Sequence, residues 1–212
     1  MHPVVCMISD RHRLTGDGET GLVTLVGAAA RAGVHLVQIR ERDLGGRVLV
    51  GVVARCVAAV RGTRTRVLVN DRVDAAIAAG AHGVHLRGDS MPADRVRAVV
   101  PRGFLLGRSV HSAEEAARAT DAGGLDYLIF GPVFATTSKP GAVPAGALGL
   151  AAVVASTTLP VIAVGGITEE TAAAVAPTGA AGIAAIGLFT DGSISDLPRM
   201  IARIMRTSPA RG

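Results

Sequence analysis

With 212 residues and 49% apolar side chains, the chain is long enough to bury a substantial core, as one large domain or two small ones. The formal net charge of +5 comes from basic residues scattered without a run, and one Tyr, four Phe and no Trp leave little for bases to stack on. A nucleic-acid groove is therefore a poor fit and a small anionic molecule a better one. Cys6 and Cys56 are far apart and lack metal-ligand spacing, which argues against a zinc site and a disulfide framework. No basic segment leads into an apolar stretch at the N-terminus, and no apolar run approaches the ~18–20 residues that span a bilayer. A soluble cytoplasmic protein with no membrane partner is expected.

Short apolar runs recur along the chain, each followed by an Ala-rich stretch of helical character. Strands are expected at 4–8, 34–39, 66–69, 83–86, 104–107, 127–130, 161–164 and 182–186. Helices are expected at 20–31, 47–60, 73–79, 93–100, 113–122, 148–155, 169–176 and 197–206. Ser112-Ala-Glu-Glu115 reads as a capping box, Thr168 and Ser195 sit where N-caps belong, and Pro92 opens a helix. Gly80 and Gly123 close two others. A core of Ala, Val, Leu and Ile suits parallel strands covered by helices. Eight strand–helix units in about 200 residues match a single (β/α)8 TIM barrel, an α/β domain filling residues 1–212. A doubly wound sheet fits less well, because no G-x-G-x-x-G follows the first strand.

In a barrel, the functional residues gather where the strands end and the βα loops begin. The polar residues of this sequence fall there. Gln38, Arg40, Glu41, Arg42 and Asp43 follow the second strand, and Asn70 and Asp71 the third. Arg87, Asp89 and Ser90 follow the fourth, and Ser109 and His111 the fifth. After the sixth come Thr136, Thr137, Ser138 and Lys139, the only lysine among 22 basic residues. Gly165-Gly166 follows the seventh.

Gln38, Arg40 and Arg42 share one side of an extended segment, so two guanidiniums and an amide can grip a phosphate or pyrophosphate through forked hydrogen bonds. A competing reading pairs Arg40 and Arg42 with Glu41, Asp43 or Asp71 in a structural network. Asn70-Asp71 offers hard oxygen ligands, enough for one or two contacts to Mg²⁺, while Asp74 reads as a cap or an ion-pair partner. The hydroxyls of 136–138 and the Lys139 ammonium are donors suited to a phosphate. Gly165-Gly166 leads into a helix, where backbone amides can approach an anion, or else it is a tight turn that needs glycine. His85 and His111 lie nearest the strand ends, and either suits a structural role.

Taken together, QIRERD, LVNDRVDAA, HGVHL, LGRSVHSAEEA, DYLIFGPVFATTSKPG and LPVIAVGGIT resemble the thiamine phosphate synthase/TenI family across nearly the whole chain. The resemblance implies a (β/α)8 barrel, a homodimer, and a transferase of thiamine biosynthesis. It would join hydroxymethylpyrimidine diphosphate to hydroxyethylthiazole phosphate with Mg²⁺ and release pyrophosphate. By resemblance, Gln38, Arg40, Arg42, Asn70 and Lys139 hold the pyrimidine diphosphate, with Arg40, Arg42 and Lys139 as the catalytic cations. Asp71 holds the metal and Ser109 contacts the pyrimidine, while Thr136, Ser138, Gly165 and Gly166 face the thiazole phosphate.

Three positions depart from the synthase pattern. Ser90 stands where synthases carry a second metal-binding Asp, so Asp89 is the candidate substitute; Arg42 replaces a lysine; and Ile186-Gly187-Leu188 lacks a serine. The other branch, a metal-independent aminothiazole phosphate tautomerase, places a proton-shuttling His where this chain has Pro132. A thiazole-phosphate-binding barrel without turnover is the third alternative.

Overall fold

The computed structural model describes residues 3–138 and 141–207, so Lys139 lies outside the described residues. Eight parallel strands close into a barrel in chain order. They are β1 (Val4–Ile8), β2 (Leu36–Ile39), β3 (Arg66–Asn70), β4 (Gly83–Leu86), β5 (Leu105–Val110), β6 (Tyr127–Phe130), β7 (Val161–Val164) and β8 (Gly182–Ala185). Each pairs with the next and β8 returns to β1, through Val4 beside Gly182 and Cys6 beside Ala184. The covering helices are α1 (Gly18–Arg31), α2 (Gly46–Ala59), α3 (Val73–Ala78), α4 (Ala93–Arg97), α5 (Ala113–Asp121), α6 (Gly146–Ala155) and α7 (Glu169–Val175). A one-turn α8 (Gly187–Thr190) and α9 (Leu197–Thr207) follow β8.

The strands are apolar almost throughout because both of their faces are buried. One set of side chains, including Val5, Met7, Val37, Val67, Leu106 and Leu128, packs outward under the helices. The alternate set, including Cys6, Leu36, Leu68, Tyr127, Ile162 and Ala184, fills the barrel interior. Counting two residues on from this inner set brings polar side chains to the C-terminal end: Gln38 beyond Leu36, Asn70 beyond Leu68, and Ser109 at the same parity on β5.

Local chemistry sets the boundaries. Asp17 caps α1 by accepting the Glu19 N–H, and Thr168 forms a capping box with Thr171 on α7. Ser112 caps α5 as expected, but the Glu115 carboxylate accepts from the His111 N–H at 2.7 Å, one residue before the cap. Ser195 is not a cap: it lies inside the 3-10 turn Ile194–Asp196, whose cap is Ser193. Strand β5 runs to Val110 rather than stopping at 107, which carries Ser109 on the strand itself. Strand β2 starts at Leu36; before it the Val34 N–H still closes onto the Ala29 carbonyl of α1, while the His35 N–H already donates to the Val5 carbonyl of β1.

Candidate active site

A cavity of about 860 Å³ opens at the C-terminal end of the barrel. Its floor is the last inward layer of the strands, and the layer is divided. Gln38, Asn70, His85 and Ser109 form a polar half on β2–β5; Ile129, Val164, Ile186 and Ile8 form an apolar half on β6, β7, the end of β8 and β1. Arg40, Arg42, Arg87, Asp89, Ser90, Arg108, His111, Pro132 and Ser138 stand around it.

The charges of the β2 loop are sorted by burial. Glu41 is buried, accepts from the Ser9 hydroxyl, and pairs with Arg11 at 3.1 Å. Arg11 also forks onto Asp43 and holds that carboxyl well below the usual range. Both acids are thus taken up by Arg11, and the expected alternative pairing with Arg40 and Arg42 does not form. Ser9 completes the arrangement by accepting the Arg40 N–H at 2.8 Å. Among the described residues, neither the Arg40 nor the Arg42 guanidinium has a hydrogen bond or an ion pair. Arg40 is half-buried; burial first, and then the charge of Arg42, holds its pKa below the ordinary arginine value. The charges of Asp10 and Glu41 act on Arg40 without pairing with it, so two guanidiniums free of direct partners stand at the edge of a cavity, where an anion would complete them.

Gln38 is buried and donates through Nε2 to Asn70 Oδ1 at 2.9 Å. Its Oε1 is the one buried side-chain polar atom among the described residues without a hydrogen-bond partner. An unsatisfied acceptor in a cavity floor calls for a donor on the ligand.

Asp71 adopts a left-handed backbone, φ +63°, with its N–H donating to the His85 carbonyl at 2.9 Å. Its carboxylate accepts from the Ser90 hydroxyl and lies 3.7 Å from the Arg87 guanidinium. Ser90 therefore stands directly beside the Asp71 carboxylate. Asp89 instead points to Arg87, which forks onto it at 2.9 and 2.6 Å. The loop carrying both residues is held by Arg108, which donates to the carbonyls of Arg87, Gly88 and Met91. Among the described residues no three His, Cys, Asp or Glu cluster as metal ligands. The Asp71 carboxylate and Ser90 hydroxyl are nonetheless adjacent hard oxygens, a donor set that fits Mg²⁺ completed by phosphate and water.

On the floor, His85 is fully buried and contacts Ser109 Oγ through Nε2 at 2.9 Å and the Tyr127 hydroxyl through Nδ1 at 3.2 Å. Burial, with Arg108 adding to it, pushes the His85 pKa down to about 3. His111 Nδ1 lies 2.8 Å from the Gly131 carbonyl, at the start of the loop after β6.

Of the residues singled out in the sequence, Gln38, Arg40, Arg42, Asn70, Asp89, Ser109 and Ser138 line the cavity, and Asp71 touches its lining through Ser90. Thr136 and the Gly165-Gly166 turn stand outside the lining. Thr136 Oγ1 accepts the Ser138 N–H. Gly165 has φ +97°, and a Cβ there would meet Pro132 Cα at 2.7 Å, so the turn needs glycine because the β6 loop lies directly on it. Asp74 pairs with Arg72 at 2.6 Å. The sequence reading missed the apolar half of the floor and Arg108. Strand parity carried the first to within one register; a loop clamp made to backbone carbonyls leaves no sequence signal.

Over residues 5–189 the chain matches the family described as thiamine monophosphate synthase. It is 40% identical over 184 residues to a thiamine-phosphate synthase of Roseiflexus sp. (strain RS-1), covering 86% of this chain and 76% of that one. It is 34% identical over 210 residues to a thiamine-phosphate synthase of Chlorobium luteolum, covering 98% and 95%. Among solved structures, a thiamine phosphate pyrophosphorylase from Pyrococcus furiosus superposes with a TM-score of 0.83 at 30% identity, covering 96% of both chains.

Proposed function

Since the chain belongs to the thiamine monophosphate synthase family, and with it to the transferases of thiamine biosynthesis, we propose how its cavity performs the synthase reaction. The pyrimidine methylene C–O bond breaks with its electron pair leaving on pyrophosphate. The thiazole nitrogen then supplies the pair for the new C–N bond. The observation that carries this reading is the Arg40–Arg42 pair, left without a direct ion-pair partner among the described residues while Arg11 takes up Glu41 and Asp43. Those guanidiniums sit ready for the charge that grows on the departing diphosphate, and a preformed site needs no reorganisation to receive it.

The floor sorts the two rings. Gln38 Oε1 accepts from an exocyclic amino group of the pyrimidine, while Ser109 meets the ring edge. The apolar half, Ile8, Ile129, Val164 and Ile186, keeps water from the pyrimidine cation until the thiazole nitrogen reaches it. Ser138, on the cavity lining, takes the thiazole phosphate; Thr136, Gly165 and Gly166 are assigned to the same phosphate, and Lys139 to the diphosphate, by the family resemblance alone. Asp71 and Ser90 would hold Mg²⁺, which when bound neutralises diphosphate oxygens. Pro132 lines the cavity where the tautomerase branch needs a proton carrier, and a pyrrolidine ring carries none.

The test is an assay with both phosphorylated substrates, run with Mg²⁺ and with EDTA. Metal-dependent thiamine phosphate and equimolar pyrophosphate are expected. Thiazole phosphate binding with no product would overturn the synthase assignment in favour of a binding-only barrel.

A further inference from the structure

The buried contacts among Tyr127, His85 and Ser109 have a direction, and the direction bears on what the floor recognises. Each of the three groups carries one hydrogen that can sit in the chain, since a fully buried imidazole whose ring partners are two hydroxyls is neutral. Two arrangements are possible. In one, Tyr127 donates to Nδ1 and Nε2–H donates to Ser109 Oγ, leaving the serine proton free. In the other, Ser109 donates to Nε2 and Nδ1–H donates to the Tyr127 oxygen, leaving the tyrosine proton free.

Burial chooses between them. Tyr127 lies inside the barrel at 5% exposure, and among the described residues its hydroxyl has no hydrogen-bond partner besides His85. A free tyrosine proton there would be stranded without an acceptor, the costly case for a buried donor. A free serine proton costs nothing comparable, because Ser109 faces the cavity. Gly107 leaves room for the ring: a Cβ on it would collide with Tyr127 Cζ, and the His85 and Tyr127 rings lie 5.7 Å apart at 30°.

We propose that Tyr127 and His85 are positioning residues that keep the Ser109 proton free to donate to a ring nitrogen of the pyrimidine substrate. The assignment rests on the synthase reading of the cavity. With His85 Nε2–H donating to Ser109 Oγ, the serine proton is free for an acceptor on the ligand, and Gln38 Oε1 can serve only a donor. An aminopyrimidine offers both, a bare ring nitrogen and an exocyclic amino group. The floor thus reads the heterocycle by opposite hydrogen-bond polarities, independently of the cations that hold its diphosphate.

The test combines the tautomer with a mutant cycle. Imidazole ¹⁵N spectra of the wild-type protein should show His85 protonated at Nε2 and bare at Nδ1. Tyr127→Phe should mix the tautomers and raise KM for the pyrimidine diphosphate about fivefold to tenfold, the effect of one neutral hydrogen bond. KM for the thiazole phosphate should stay unchanged. In a Ser109→Ala background the same Tyr127→Phe change should add less than about twofold, because the partner it positions is gone. A wild-type Nδ1–H tautomer, or full additivity in the cycle, would overturn the relay. If Tyr127→Phe does not fold, the wild-type spectrum decides alone. Absence of wild-type thiamine phosphate formation would sink the synthase reading instead, and the tautomer would still judge the direction of the chain.

Discussion

Acid should destabilise this barrel through one buried ring before the carboxylates begin to titrate. His85 is fully buried, and its pKa falls from 6.5 to about 3 in the folded protein. Between those two values the unfolded chain binds a proton that the native state refuses. Stability therefore rises with pH across that window and is lost as pH falls through it. Going from about pH 7.5 to about pH 5.5, the linkage amounts to about 1.4 kcal/mol for this residue alone. His82 adds in the same direction, since burial, followed by the charge of Arg66, lowers its pKa too. Comparison with His85→Gln isolates the one ring, because every other titrating group is common to both proteins. Urea unfolding followed by far-UV circular dichroism suits a chain without Trp. The wild type should begin more stable, and its advantage over His85→Gln should shrink by about 1.4 kcal/mol at the lower pH. A constant advantage would mean that His85 titrates normally in the native state, and would refute the picture of a neutral ring sealed beneath the cavity.

Four further outcomes bear on the site and its frame. Arg40→Gln should lower kcat for the synthase reaction by about 10²-fold, as for the loss of one preorganised transition-state donor, whereas an effect on KM alone would make Arg40 a general anchor. Ser90→Asp should lower the Mg²⁺ concentration giving half-maximal rate, since it sets a second carboxylate beside Asp71; an unchanged metal titration would remove this pair from the metal site. Lys139→Ala should cut turnover by at least about tenfold, measured at saturating substrates, and an unaltered rate would take Lys139 out of the chemistry. Gly165→Ala should lower the Tm, because it combines φ +97° with a Cβ 2.7 Å from Pro132 Cα, a cost of about 1–3 kcal/mol or more; a wild-type Tm would show that the β6 loop yields there.

The barrel was legible because its two repeating signals are local. Apolar runs of four to six residues and the caps at Ser112 and Thr168 depend on near neighbours in the chain, and they gave the order of the eight strands and their covering helices. Errors came where a distant partner intervened. Strand β5 continues to Val110 because Ser109 pairs with Ile129 and Val110 with Phe130, three registers beyond the glycine that looked like its end. Glu115 reaches past its cap to the His111 N–H, whose imidazole in turn holds the Gly131 carbonyl 20 residues away.

The same distinction explains the site. Residue type and position located the polar floor and the two guanidiniums, yet the sequence could not say whether Arg40 and Arg42 were neutralised. That depended on Arg11, 30 residues from Glu41 and on another strand's loop. Buried Glu41 needs a cation, and Arg11 meets that need while also holding Asp43, so the acids nearest Arg40 in the chain are the ones least able to serve it. An alternating basic–acidic segment such as Arg40-Glu41-Arg42-Asp43 reads as self-neutralising only while the chain is considered alone. The chain leaves the strand at Ile39 and turns at Arg42-Asp43, and over that turn the acids go to Arg11 while the bases line the cavity. The charge that binds the anion is made by that separation, and a third arginine is what maintains it.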